Sequence, residues 1–332
     1  MLVSVVIPAY NAEQWIAETV KSVLQQTYKD LDIVLVDDGS TDRTVEVAEE
    51  VLRRGNFSYR VLNQSNKGAA EARNRGWQAA RTQWVQFLDA DDLLEPRKIE
   101  LQIAQVLRHR PVDVVYSDWQ KLVWHGGAWR GEDKIRAPVI GPNALADILS
   151  DKHFLQLSCQ IFKVSVLDNV GGFDQSHEPI EDVGLCVKIA MTGGVFVKAE
   201  SSGPMSWYRD RPQSLSKSNQ QRFIESCIKN AKLAELYVEQ NPNYSSQINQ
   251  AIVDVYYSGA RYFAGQNWER FEEIVADIER IQPTFVPKVP TQIKVLSRIA
   301  GYRRAERLAV LYRTGKLIGA NLWGNAARSN RS

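Results

Sequence analysis

Cysteine, histidine and methionine are scarce in this chain: three, four and three residues among 332. Cys159, Cys186 and Cys227 are far apart, odd in number and without metal-ligand spacing, which excludes a disulfide framework and leaves reduced thiols in a core. His153 and His177 lack metal spacing with each other, and His125 sits in a glycine hairpin where a structural, exposed role is expected. No apolar stretch approaches the roughly 18 to 20 residues of a membrane span. Met1 runs directly into the strand-like LVSVVIP and not into a signal peptide, so a cytoplasmic protein is expected. There is no low-complexity tract and no internal repeat. The first apolar run lacks GxGxxG and no GxxxxGK[ST] occurs, which argues against a dinucleotide site and a P-loop.

What is present is ordinary for a globular protein, 44% hydrophobic and 24% charged, with length enough for two structural units. The net charge of +2 hides an asymmetry. Residues 291–332 carry nine Lys/Arg against one acid, Glu306, so this tail is +8 and the rest of the chain −6. Such a sign change marks a candidate boundary.

The first hundred residues alternate strand and helix signals. VSVVI (3–7), DIVLVDD (32–38), YRVLN (59–63) and WVQFL (84–88) are apolar runs of strand length, as expected of parallel strands covered on both faces. Helical spacing follows each: Ala12 to Leu24 after an expected cap at Asn11, then from about Thr41, across 69–80 and across 96–109. Strands joined by single helices imply right-handed crossovers and a mostly parallel sheet. Beyond residue 111, DVVYSD and the glycine-turned KLVWHGGAWR imply that the sheet becomes mixed, and VFVKA and MSWYR add strands around a helix at 181–192. From about Ser218 the chain reads helical throughout, with stripes Phe223-Cys227-Ala231-Ala234, Ile248-Ile252-Tyr256-Ala260 and Phe271-Ile274-Val275-Ile278.

Three strand ends carry unusual chemistry: PAYN, DDGSTD and DADD. Taken singly, DDGSTD reads as a turn that caps the next helix, and DADD as a solvated turn or an acidic helix start. Together they converge on the rim where open α/β sheets bind ligands. Asp89, Asp91 and Asp92 repel one another directly after a buried strand, an arrangement that a divalent cation makes tolerable. Mg²⁺ or Mn²⁺ typically takes one or two carboxylates plus substrate phosphates, so a metal-diphosphate pair is expected.

The stretch from VSVVIPAYNAE to VDDGSTD, followed by NKGAAEARNRGW and FLDADDLLEP, resembles the donor half of a family-2 glycosyltransferase with the GT-A fold. Five motifs occur in order; the resemblance is strong to about residue 110, fair to about 217 and absent beyond. It implies a GT-A domain over 1–217, with a donor half 1–110 and an acceptor half 111–217, then a helical region 218–332 with the basic tail. It also implies roles. Pro8, Tyr10 and Glu13 line the nucleotide pocket; Asp38, supported by Asp37, bonds the base, typically uracil; Lys67, Gly68, Ala72 and Arg73 pass the nucleotide and sugar. Asp91 is the more direct metal ligand, Asp89 lies nearer the ribose and sugar hydroxyls, and Asp92 stands behind them. Asp182 of the Glu181-Asp182 pair is the base that activates the acceptor, Gly172, Phe173 and Asp174 belong to the acceptor-side loop, and His177 lies near enough to touch sugar. WYRDRPQSLSKS (207–218) resembles the closing loop, where Arg209 or Arg211 reaches the diphosphate; its RDR departs from the commoner basic-x-His pattern, so the two stay unresolved.

Packing is the default for Trp119, Trp124 and Trp129 of the hairpin, with stacking on acceptor sugars as the alternative. The implied donor is a UDP-sugar and the acceptor a saccharide or a lipid-linked one; nucleic acid is not expected. Two other classes compete. Aspartyl phosphatases place a DxD pair after the first strand with a Thr two residues on, where this chain has Leu93. A non-catalytic nucleotide-sugar-binding module would have no use for Asp182. The tail reads as a membrane-surface or acceptor-docking element or as the solvated face of a helical bundle.

Overall fold

The structure, a computed structural model, describes residues 2–150, 153–211, 219–241, 246–288 and 290–313. The chain divides into two compact units, residues 1–242 and 243–332.

In the first unit, β1 (Val3–Ala9), β2 (Leu31–Asp37), β3 (Ser58–Asn63) and β4 (Trp84–Phe87) are the four expected strands. They pair in parallel in the order β4-β1-β2-β3. Every residue of β1 and β2 is buried, which is why both read as nearly unbroken apolar runs. The exceptions, Ser4, Asp32 and Asp37, are satisfied in place: Asp32 accepts from Ser4 Oγ at 3.4 Å and, on β3, from Arg60 Nη2 at 2.8 Å and Ser58 Oγ at 3.1 Å, and Asp37 accepts from Ser40 N. The crossovers are α1 (Ile16–Leu24), α2 (Thr44–Leu52) and α3 (Ala69–Ala79), and α4 (Lys98–Arg108) follows β4. From β3 at the edge the chain returns past β2 and β1 to β4. Strand order therefore switches between β1 and β4, and it is beyond the carboxyl ends at such a switch that open α/β sheets bind ligands.

The sheet is mixed, as expected, but through a strand that the sequence did not announce. After the two-residue β5 (Leu93–Leu94) come β6 (Val114–Tyr116), β7 (Trp119–His125) and β8 (Ala128–Arg136), then β9 (Gln160–Lys163). β9 lies antiparallel between β4 and β6. Only four residues long and opening on a buried Gln160, it offers neither an apolar run nor an alternation. β10 (Phe196–Lys198) closes that sheet beside β6, while β5, β11 (Ser206–Arg209), β7 and β8 form a second sheet. Helices α5 (Ala144–Leu149), α6 (Val164–Val170), α7 (Glu181–Met191) and α8 (Gln220–Gln240) complete the unit.

The all-helical stretch from residue 218 is thus shared between two units. α8 is held to the first unit by Ser226 Oγ on Glu178 O at 2.8 Å and Lys229 Nζ on Ser176 O at 2.7 Å. Its buried face is Ser226, Ile228, Asn230, Ala231, Ala234 and Glu235, so the expected stripe is displaced and Phe223 and Cys227 are only half-buried. The second unit contains α9 (Ser246–Phe263), α10 (Trp268–Ile281), α11 (Thr291–Ala300) and a helix at 302–313. There both expected stripes are buried in full. Cys159 and Cys186 are buried free thiols, and burial pushes Cys159 up to about 12. No helix among the described residues is long and apolar enough to cross a membrane.

Candidate active site

The loops after β1 and β2 interlock. Asn11, in the left-handed region at φ 46, turns its amide oxygen to Thr41 N at 2.8 Å. Asn11 does not cap α1, which starts at Ile16 without a side-chain cap. Ala12 N donates to Thr44 Oγ1 at 2.7 Å, Glu13 N to Asp42 Oδ2 at 3.1 Å, and Arg43 N to Glu13 Oε2 at 3.0 Å. One loop thereby satisfies the open backbone donors of the other. Pro8 is buried in β1, while Tyr10, just past its end, is 50% exposed on the rim.

Asp37 accepts from Ser40 N at 3.2 Å, which holds the DDGS turn. Asp38, buried, accepts from Gln64 Nε2 at 2.8 Å, Lys67 N at 2.7 Å and Gly68 N at 2.8 Å. Its carboxylate shapes the Lys67-Gly68 turn at the start of α3. A carboxylate offers about four acceptor positions, so one stays open for a further donor.

Arg73 on α3 joins the two halves of the unit. Buried to near completion, it gives Nη2 to Asp89 Oδ1 at 2.7 Å and Nη1 to Glu181 Oε1, and lies 5.5 Å from the Phe173 ring. Burial alone would pull the guanidinium down, but Asp89 and Glu181 outweigh it and hold Arg73 above its ordinary value. Glu181 and Asp182 open α7, where acids face the positive end of the helix dipole. Asp182 accepts from Val183 N at 2.8 Å, and burial, then repulsion from Glu181, pushes it up to about 7. Asn74, the next residue of α3, clasps the acceptor-side loop: Nδ2 donates to Phe173 O and Oδ1 accepts from Phe173 N, both at 2.9 Å. Gly172, at φ +67, has no room for a side chain, since a Cβ would meet Asn74 Oδ1 and Trp77 Nε1. Asp174 instead turns outward to Ser176 N and His177.

The second acid pair divides its work. Asp92, fully buried, accepts from Gln156 Nε2 at 2.8 Å, Ser158 Oγ at 3.2 Å and Arg209 N at 3.0 Å, so it ties β4's end to β11. Burial, then Asp91 and Asp89, raise it well above the usual carboxylate range. Asp91 pairs with Arg211 through Oδ2; burial raises it and Arg211 opposes that rise. Arg209, 1% exposed, reaches Asp92 through its backbone N–H and gives Nη2 of its guanidinium to Glu18 Oε2 at 2.6 Å. The two guanidiniums are therefore separated: that of Arg211 pairs with Asp91 and that of Arg209 with Glu18. Residues 212–218 of the expected closing loop lie outside the described residues.

Among the described residues no three acid, histidine or cysteine side chains are arranged to hold an ion. Asp89 and Asp91 each engage one oxygen with an arginine. That leaves one carboxylate oxygen on each outside those arginine contacts. Two carboxylates at the end of a buried strand fit a hard cation that completes its shell with substrate phosphates.

With this geometry in place, the comparison with known families decides the assignment: the model of glycosyl transferase family 2 matches residues 4–171, just over half of the chain. The chain belongs to glycosyl transferase family 2. This family-2 chain is 40% identical over 119 residues to the glycosyltransferase GlyG of Streptococcus pneumoniae, 36% of this chain and 39% of GlyG. The match thus spans well under two thirds of that relative. In fold it is similar to Staphylococcus aureus TarS 1–349 in complex with UDP-GlcNAc, with TM-score 0.68 at 20% identity over 95% of this chain and 92% of that one. It is also similar to the mannosyltransferase PcManGT of Pyrobaculum calidifontis, in complex with GDP-Man and Mn²⁺, with TM-score 0.54 at 17% identity over 94% and 87%. These likenesses carry the GT-A fold, a mostly parallel sheet flanked by helices.

Several residues that build the family-2 site carried no sequence signal of their own. Asn74 is one step past Arg73 on a helix, and Gln156 and Ser158 lie in an irregular segment before the unannounced β9. Arg73→Met should lower unfolding stability by about 3 to 5 kcal/mol, since it leaves Asp89 and buried Glu181 without their counter-charge. Denaturant unfolding with an unshifted midpoint would contradict the bridge.

Proposed function

We propose that this chain moves a sugar from a nucleoside-diphosphate donor, a UDP-sugar, to a hydroxyl of a saccharide or lipid-linked acceptor, with inversion at the sugar carbon. The setting proposed is cell-surface polysaccharide or glycolipid synthesis. The observation that carries this reading is Arg73, which ties Asp89 at the end of β4 to Glu181 beside Asp182 at the start of α7. One side chain thereby couples a donor-side acid to the helix that presents a candidate base. The neighbours bound to UDP-GlcNAc and to GDP-Man with Mn²⁺ support a nucleotide sugar and a cation.

In this reading Tyr10 and Pro8 flank the base, and the open acceptor position on Asp38 takes its N–H. Glu13 acts by fixing the two loops around it. Asp91 and Asp89 hold Mg²⁺ or Mn²⁺, which when bound stabilises the charge that develops on the leaving diphosphate. Arg211 balances Asp91 when donor is absent and turns to the diphosphate when donor enters. Lys67 and Arg73 border the sugar, and Asp182 takes the acceptor proton on the opposite face. A thermal-stability panel of nucleotide sugars tests the donor side. UDP-sugar with Mn²⁺ at 100 times its Kd stabilises by about 2.7 kcal/mol, whereas no shift with any UDP- or GDP-sugar would count against it.

Peripheral contact with a membrane is also proposed for the basic tail. On its described part Val295, Ile299, Leu308, Leu311 and Tyr312 are exposed. Arg303, Arg307 and Arg313 are committed to acids of their own unit. Residues 314–332 lie outside the described residues. Flotation with anionic liposomes should therefore recover the chain at low salt and release it as salt rises. Absence from the floating fraction at low salt would remove this proposal.

A further inference from the structure

We infer that the β7–β8 hairpin carries an acceptor subsite, an aromatic platform for a pyranose-containing oligosaccharide. This inference rests on the glycosyl-transfer reading and names the class of acceptor. Trp124 and Trp129 face each other across the hairpin register, two residues from the Gly126-Gly127 turn. Their ring centroids are 5.5 Å apart, and Trp129 is 5.7 Å from Trp15, which precedes α1. Three indoles thus run in a row drawn from two separate segments of the chain. Trp124 at its outer end is 60% exposed, and Trp15 and Trp129 are half-buried.

Hydrophobic packing accounts for Trp119, which is buried against Phe154 and Tyr208. It does not account for Trp124, whose ring covers no core and stays in water near a strand tip. An indole so placed favours a ligand with one apolar face and polar edges, and a pyranose ring with its C–H face and hydroxyl rim has that form. The row also leads somewhere. Arg209 packs against both Trp15 and Trp129, 4.9 and 5.4 Å from their ring centres, and two of its nitrogens, Nε and Nη1, are buried without a hydrogen-bond partner. Lying over two adjacent indoles, this cation is held by the ring pair and in turn fixes the inner two rings. Arg211 lies 5.8 Å from Trp15 and engages Asp91. A glycan laid along the row from Trp124 inward would therefore point its end at the acid pair.

The test uses the full chain, with UDP and Mn²⁺ present, on a printed array of pyranose oligosaccharides. Wild type should bind at least one family of glycans, with longer members retained better than their monosaccharides. Trp124→Ala should weaken that binding tenfold or more, Trp124→Phe should restore most of it, and UDP affinity measured by calorimetry should stay within twofold for both. An empty array from a chain that binds UDP, or equal binding by wild type and Trp124→Ala, would overturn the platform. A chain that binds no UDP or other nucleotide would instead overturn the glycosyl-transfer reading beneath it.

Discussion

Asp182→Asn should lower sugar transfer by about 10² to 10⁴ while donor affinity stays nearly unchanged. Asparagine keeps the size of the side chain and can still accept from Val183 N, which donates to Asp182 at 2.8 Å, so the start of α7 stays in place. It has no basicity to take a proton. The pH profile carries the same information. Burial and then Glu181 push Asp182 up to about 7, and a general base works in its deprotonated form. Hence kcat/KM should climb with pH through about 7 and level off above it. Glu181→Gln removes the neighbouring negative charge that raises Asp182, so the climb should move to lower pH. A pH series of product formation for wild type and both variants, with one identified acceptor, checks this. If Asp182→Asn keeps most of the turnover, the base lies elsewhere.

Asp91→Ala should abolish the dependence of UDP binding on divalent cation and weaken that binding to the level seen in EDTA. Burial raises Asp91, and the cation paired with its carboxylate is Arg211. Removing the carboxylate takes away the proposed metal ligand and frees Arg211 to pair with phosphate, so the residual affinity should fall steeply with salt. Calorimetric titration of UDP with Mn²⁺ and with EDTA reads this directly. Wild-type affinity that is equal in both conditions would show that Arg211, not a metal, neutralises the diphosphate.

Legibility followed periodicity. β1, β2 and β4 were readable because a strand buried on both faces must be apolar along its length, and the stripes of α9 and α10 because every member is buried. The acid motifs were readable because charge directly after a buried strand is costly without a partner. What stayed hidden depends on contacts between distant segments. Asp38 looked like a base contact alone, yet its oxygens also organise the Lys67-Gly68 turn. Arg209 and Arg211 were equivalent in sequence and differ only because β11 runs beside Trp15 and Glu18. β9 and the true buried face of α8 escaped for a shared reason: buried polar residues such as Gln160, Asn230 and Glu235 break the apolar pattern that marks a core face.

The most direct test of the account is release of UDP from UDP-sugars by the full chain, followed with and without EDTA. Slow release is expected with Mn²⁺ or Mg²⁺ even before the acceptor is known, with its loss in EDTA and its loss in Asp91→Ala. Folded protein that frees no nucleotide from any UDP- or GDP-sugar, with cation present and a panel of glycan acceptors supplied, would contradict it.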